Sequence, residues 1–401
     1  MPISDHIGGF IRPGYNPNYS GKWKLPTVMQ AEGAGNWPLP PFAYGTLWMW
    51  GYNSVGQLGQ GNTTNISSPA QVGALGTWSV VMTSDTATAG VASDGTLWTW
   101  GDNAQGQLGV NNTTNYSSPV QVGALADWPQ EAGKIAAGTA HFVFVKSDGT
   151  LWCFGQGGYG RLGDGTDTNR SSPVQIGALT TWAKAGASKT SSFAIKTDGT
   201  LWAWGAGSQG TLGLGNTTNY SSPVQVGALT DWADASATQN KGGAAVKTDG
   251  TLWTWGWNSY GELGDGSTTN RSSPVQVGAL TDWEQVSGGN HFGACLKTDG
   301  TIWVWGYNGE GQSGQGDTTN RSSPVQVGAL TTWSRVTAGG GSLFAHKADG
   351  TLWVWGAGGS GQLGLGNTTN YSSPVQVGAL TTWGATFGCL GRSAMGGALQ
   401  R

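Results

Sequence analysis

Asp198-Gly199-Thr200-Leu201-Trp202-Ala203-Trp204-Gly205 recurs, with small changes, seven times along the chain. The paired aromatics fall at Trp48/Trp50, Trp98/Trp100, Trp152/Phe154, Trp202/Trp204, Trp253/Trp255, Trp303/Trp305 and Trp353/Trp355, 50 to 54 residues apart. A period in that range signals a solenoid, a propeller or an array. Around the fourth copy, Phe193-Ala194-Ile195-Lys196 and Leu201-Trp202-Ala203-Trp204 are two β-prone runs flanking Asp198-Gly199. Asp-Gly between such runs predicts a hairpin with a type I′ turn. Downstream, Ser221-Ser222-Pro223-Val224-Gln225-Val226 reads as a further strand. Its proline cannot donate to a ladder, which predicts a sheet edge. After Trp232, the run Ala233-Asp234-Ala235-Ser236-Ala237 is a short strand of small residues, suited to crowding near an axis. Four short strands per repeat with glycine-rich turns describe a propeller blade.

The ends of the repeat region predict closure. The first copy starts at Gly45-Thr46-Leu47-Trp48 without the two strands that should precede it, and the last continues through Trp383 to Gln400 without a back half. A composite blade, with 383–400 paired to 45–78, would complete a seven-bladed all-β ring and leave no open edge. The division expected is an arm over 1–44 and a propeller of four-stranded antiparallel blades over 45–401.

The chain has 401 residues, 71 glycines, 23 tryptophans and a net charge of −3. Thirteen tryptophans lie in the repeated pairs, and seven more (Trp78, Trp128, Trp182, Trp232, Trp283, Trp333 and Trp383) follow the proline-bearing strand. Each buried aromatic removes roughly 150–250 Å² from water, so these rings are expected to pack the blades together. Residues 1–44 carry seven of the fifteen prolines and the rings Phe10, Tyr15, Tyr19, Trp23 and Trp37, which predicts an extended arm that docks on its own propeller or on another subunit. No apolar run has signal-peptide or membrane length.

The string Lys-x-Asp-Gly-Thr-Leu-Trp-x-Trp-Gly, followed by x-Asn-x-x-Gly-Gln-Leu-Gly, resembles the repeat of the RCC1 family. It is clear in Trp100-Gly101-Asp102-Asn103-Ala104-Gln105-Gly106-Gln107-Leu108-Gly109 and in Thr254-Trp255-Gly256-Trp257-Asn258-Ser259-Tyr260-Gly261-Glu262-Leu263-Gly264. The resemblance implies a seven-bladed propeller closed by strands from both ends. It does not imply one function: the founding member is a nucleotide-exchange factor for a small GTPase that also binds chromatin, and others are scaffolds or surface proteins. Exchange-factor members carry a wedge-like insertion. Here the largest excess over the period is four residues, between Trp98 and Trp152. Without a Lys/Arg cluster, a nucleic-acid partner is not expected.

Positions that differ between blades are where specificity could reside. One set is the loop after the innermost strand, at 84–88, 138–142, 187–192, 238–241, 289–292, 339–343 and 389–393. Another is the loop after Trp-x-Trp-Gly, with Tyr52, Tyr159, Trp257, Tyr260 and Tyr307. Alternating strands put both sets on one face. A third position, after Thr-Thr-Asn or its variants, carries Ile66, Tyr116, Arg170, Tyr220, Arg271, Arg321 and Tyr371. Tyrosine and arginine are favoured at binding hot spots. Catalytic signals are thin. His6, His141, His291 and His346 join no cluster with metal-ligand spacing, Cys153, Cys295 and Cys389 make no disulfide framework, and the Gly-x-Gly-x-x-Gly matches open no helix. The Asp164-Gly165-Thr166-Asp167 and Asp265-Gly266-Ser267 loops lack the ligand count of an EF-hand. The repeated Lys-x-Asp pair, as at Lys196/Asp198, reads as a solvated hairpin end.

The expectation is a non-enzymatic structural, adhesion or binding protein of a larger assembly, with no cofactor and no metal. The arm would anchor it to other protein subunits, and the loop face would meet a surface protein or glycan. Residues 9–17 (Gly-Phe-Ile-Arg-Pro-Gly-Tyr-Asn-Pro) resemble short leaders of phage-encoded structural proteins, which points to a virion or cell exterior. The alternatives are a regulatory partner-binding propeller such as a GTPase exchange factor, and a carbohydrate-binding propeller.

Overall fold

A computed structural model describes residues 45–74, 77–238, 242–388 and 395–400. The arm residues Phe10, Tyr15, Tyr19, Trp23 and Trp37, and the segment 9–17, lie outside them.

The fold grows from the hairpin at Asp198-Gly199. Ser191–Lys196 and Leu201–Gly205 pair antiparallel, Ser191 opposite Gly205 and Ile195 opposite Leu201. The turn between them corrects the type I′ expectation. Gly199 alone is left-handed, at φ +77°, and Asp198 is not. Gly199 N donates to Lys196 O at 2.9 Å and Lys196 N to Thr200 O at 3.0 Å. This is a type I turn followed by a left-handed glycine, the usual three-residue hairpin loop. The aspartate is there for another reason. Its Oδ1 accepts from Thr200 N at 3.0 Å and from Thr200 Oγ1 at 2.6 Å, and that hydroxyl accepts from Trp202 Nε1 at 2.9 Å. The Thr200 hydroxyl and then its amide hold the Asp198 carboxyl below the usual aspartate range. The motif Asp-Gly-Thr-Leu-Trp is thus one relay that ties the turn to an indole on the strand.

An outer strand, Tyr220–Gln225, adds to Leu201–Gly205, and the inner strand Trp182–Ala187 adds to Ser191–Lys196. Pro223 sits on the free edge, in the stretch where the pairing jumps from Val224 to Tyr220. Seven four-stranded antiparallel sheets repeat this order. One is the expected composite: Thr46–Gly51 and Ile66–Gln71 share a sheet with Trp383–Gly388 and Met395–Gln400. Thr46 stands opposite Gln400 and Gly51 opposite Met395. This is the seam of a seven-bladed propeller.

The blades are joined by the second aromatic of each pair. Trp50, Trp100, Trp204, Trp255, Trp305 and Trp355 are at most 1% exposed. Their Nε1 atoms donate at 2.8–3.0 Å to the carbonyls of Gln362, Gln57, Arg161, Thr211, Glu262 and Gln312, each in the preceding blade. Phe154 fills the seventh joint. The indole also lies on the last glycine of the preceding Gly-Gln-Leu-Gly or its variants. A Cβ added at Gly59, Gly109, Gly163, Gly213, Gly264, Gly314 or Gly364 would stand 2.6–3.1 Å from the ring. The tryptophans therefore pack blade against blade.

The aspartate of the repeated Lys-x-Asp pair is exposed at the hairpin end, but the lysine is not a solvated charge, which corrects half of the expectation from sequence. Lys146, Lys247 and Lys297 are buried, and the lysine at this position lies over two indoles. Lys196 Nζ is 3.7 Å from the Trp202 ring centroid and 5.0 Å from that of Trp182. Lys146, Lys247, Lys297 and Lys347 occupy matching cages at 4.0–5.3 Å. Lys146, Lys247 and Lys297 also meet Asp127, Asp231 and Asp282, ahead of the inner-strand indole, at 2.9–3.4 Å. The ring faces attract the ammonium while the stem covers apolar surface.

Two outcomes follow. Gly264→Ala lowers the thermal midpoint more than Gly278→Ala, because both glycines have positive φ but only Gly264 faces an indole (Trp305), while nothing lies within 4 Å of Gly278. Lys297→Met, which keeps the stem, costs about 1–2 kcal/mol in urea unfolding, more than Asp299→Asn at the exposed turn. An equal midpoint for the glycine pair, or a neutral Lys297→Met, contradicts this packing.

Candidate functional site

In the five blades whose inner-strand loop is described, the loop after the inner strand and the loop after the third strand emerge on one face and bond to each other. Ala206 N donates to Thr190 O at 3.0 Å, Tyr307 N to His291 O at 2.8 Å and Ala357 N to Gly341 O at 2.9 Å. Three of the sequence-derived site residues meet on this face. Trp257 and Tyr260 come from the third-strand loop of the blade spanning 232–276, and Tyr307 from the same loop of the next blade. They surround His291. The His291 ring lies 5.7 Å from Trp257, 5.2 Å from Tyr260 and 6.4 Å from Tyr307. Tyr260 and Tyr307 are 5.3 Å apart. Tyr260 is 41% exposed.

Glu262 anchors the cluster from below. Glutamine stands at its place in four other blades, as Gln57, Gln107, Gln312 and Gln362, and its Oε1 accepts from the backbone amide two residues earlier. Glu262 keeps that bond, Oε2 accepting from Tyr260 N at 2.7 Å. Its second oxygen, in place of a donating amide, lies 3.0 Å from His291 Nδ1. His291 is held at φ +68°, a conformation that costs a non-glycine residue on the order of 1–3 kcal/mol. Sequence reading noted His291 and passed over Glu262; the signal was a Glu among Gln in the Gly-x-Leu-Gly string.

The other site residues are elsewhere. Tyr159 is 56% exposed, with the Arg161 guanidinium 5.7 Å from its ring, and Tyr52 is half-buried in the seam blade. Tyr116, Tyr220 and Tyr371 open outer strands, and each hydroxyl accepts from an asparagine of its own loop, at 3.2, 3.3 and 3.1 Å. Arg170, Arg271 and Arg321 open outer strands too, paired with Asp164, Asp265 and Asp317 at 2.7, 3.0 and 2.7 Å. The variation at this position therefore follows its loop partner, arginine with aspartate and tyrosine with asparagine. Asp164 and Asp265, weighed as calcium ligands, face arginine.

His141 is unlike His291. It is wholly buried, its Nε2 lies 2.9 Å from Ser192 Oγ, and burial pushes its pKa well below the usual histidine value. Burial pushes the Cys153 and Cys295 thiols up. Among the described residues, no group of three or more His, Cys, Asp or Glu side chains could hold a metal. An axial cavity of about 600 Å³ is lined by the inner strands, with Lys184 paired to Asp234 at 3.2 Å.

The repeat described as "Regulator of chromosome condensation (RCC1) repeat" matches residues 44–86, 94–145, 148–195, 198–240, 249–296, 299–345 and 349–383. The chain belongs to the RCC1 repeat family. A curated relative, the "Ultraviolet-B receptor UVR8" of Arabidopsis thaliana, is 31% identical over 152 residues, which are 36% of this chain and 33% of that protein. The chain thus spans about a third of the length of the curated relative it matches. Among solved structures, human WBSCR16 superposes with a TM-score of 0.78 at 20% identity, covering 89% of this chain and 98% of that one. Yeast RCC1 (Prp20), solved bound to Kap60, gives 0.77 at 19%, covering 90% and 91%. At these identities the structures share the fold with this RCC1-repeat chain. The comparisons lend no support to the phage resemblance of residues 9–17.

Proposed function

We propose that the chain is a non-enzymatic binding propeller that docks a protein partner on its loop face, over Trp257, Tyr260, His291 and Tyr307. The observation that carries this reading is that cluster. The exposed Tyr260 and the half-buried Trp257 and Tyr307 are held there by a buried carboxylate and a left-handed histidine. Aromatic anchors of this kind dominate interface energetics. The related structures support a partner-binding role, since yeast RCC1 (Prp20) was solved bound to Kap60, and Prp20p of Saccharomyces cerevisiae binds Gsp1p and histones. The rings meet at interplanar angles of 61–88°. They present edges rather than one flat platform, which favours a protein over a stacked sugar. Glu262 commits both carboxylate oxygens to holding the cluster, one to a backbone amide and one to His291. The anchoring role of the arm and a place in a virion rest on residues outside the described ones.

The test is photo-crosslinking in cells of the source organism, with p-benzoylphenylalanine at Tyr260 and, as control, at Leu330 on the opposite face. A protein adduct from position 260 and none from 330 is expected. Trp257→Ala with Tyr307→Ala then weakens binding of the captured protein tenfold or more. Equal adducts from both faces, or binding only to glycans, overturns the reading.

A further inference from the structure

Five lysines sit in two-indole cages, and two blades lack the lysine. In the pairing register Trp182 stands opposite Lys196. The same register puts Ala92 opposite Trp78 and Gln400 opposite Trp383. The two cages without lysine have different fates. Beside Ala92, Trp78 has drawn in to 5.7 Å from Trp100, whereas the separations measured for Trp383, Trp182, Trp232 and Trp333 from their partners are 6.2–6.5 Å. The seam cage keeps the form of an occupied one. Trp48 and Trp383 meet at 6.5 Å and 84°, against 6.0 Å and 81° for Trp182 and Trp202 around Lys196. Gln400 does not take the lysine's role: its amide Nε2 donates to Thr382 Oγ1 at 3.2 Å, on the exposed side. The indole N–H of Trp48 is bonded to Thr46 Oγ1 at 3.0 Å. The ring faces are thus oriented as in the cages that hold an ammonium.

We propose that Trp48 and Trp383 form an aromatic cage for a lysine side chain presented by a protein partner. The ligand chemistry is read from the chain itself, which puts a primary ammonium between two such rings five times. A carboxylate is not required. The residue ahead of the inner-strand indole is Thr181 at the Lys196 cage and Thr332 at the Lys347 cage, as it is Thr382 here. Lys196 nonetheless lies 3.7 Å from the Trp202 centroid. The attraction of two ring faces for one ammonium is too weak to hold a free amine tightly, so the cation has to arrive on a larger surface. Leu380, three residues ahead of Trp383, is 44% exposed and offers that surface an apolar contact. The cage opens on the hairpin side, opposite the His291 cluster, so this site stands independently of the loop-face reading.

The experiment uses the full chain with ¹⁵N-labelled indoles, followed by NMR. Nα-acetyl-lysine N-methylamide is titrated against its uncharged counterpart, Nα-acetyl-norleucine N-methylamide. The lysine probe is expected to shift the Trp48 and Trp383 indole N–H signals at about tenfold lower concentration than norleucine. Indoles of the five cages that hold their own lysine stay still. Gln400→Lys, which supplies the cation in cis, abolishes the response and raises the thermal midpoint. Equal response to both probes, no response, or a response unchanged by Gln400→Lys overturns the proposal. So does a response seen only after removal of Arg401, which would make the chain's own last residue the occupant.

Discussion

In six blades the indole N–H of the second paired aromatic is sealed between two β-sheets and finds its acceptor in the neighbouring blade. That constraint organises the rest. The carbonyl has to arrive at a fixed height, so the Gly-x-Leu-Gly string of the preceding blade must lie flat on the ring. Its last glycine cannot carry a Cβ, since one would stand within 3.1 Å of the aromatic. Leaving such a donor or acceptor unpaired costs about 1–3 kcal/mol, and the joint repeats around the ring. At the seam, Trp50 reaches Gln362 O at 2.8 Å across 312 positions of sequence. The closure of the ring is the same contact as the five other indole joints.

The sequence made the period, the four-strand blade, the edge proline and the composite seam readable, because each follows from spacing or from what proline and small residues tolerate. It misled where one residue serves two elements. Asp198 looks like half of a type I′ turn, yet it serves Trp202 through Thr200. Lys196 looks like a solvated charge, yet its partners Trp182 and Trp202 lie on strands whose convergence only the fold supplies. The Gly-x-Leu-Gly string looked like a loop motif because its partner is in another blade.

The candidate site was half legible. Trp257, Tyr260 and Tyr307 stood out by type and by blade-to-blade variation, and the structure brings them together around His291. What decides the cluster is the change of one glutamine to Glu262, which keeps the bond to Tyr260 N and turns a donor toward His291 into an acceptor. Arginines and tyrosines at the head of the outer strands stood out equally, but their partners lie in their own loops. A near-uniform scaffold thus concentrates chemistry where single blades depart from it: at 257–262 with 291 and 307 on one face, and at the seam on the other.

The most direct measurement is urea unfolding of the full chain and of a chain ending at Gly388, which lacks the strand Met395–Gln400, each followed by tryptophan fluorescence and far-ultraviolet circular dichroism. If the inter-blade joints act as one closed ring, the full chain unfolds in a single transition coincident by both probes. The shortened chain then unfolds at lower urea and over a broader range, as blades peel from the open ends. A shortened chain with the midpoint and slope of the full one would contradict the account.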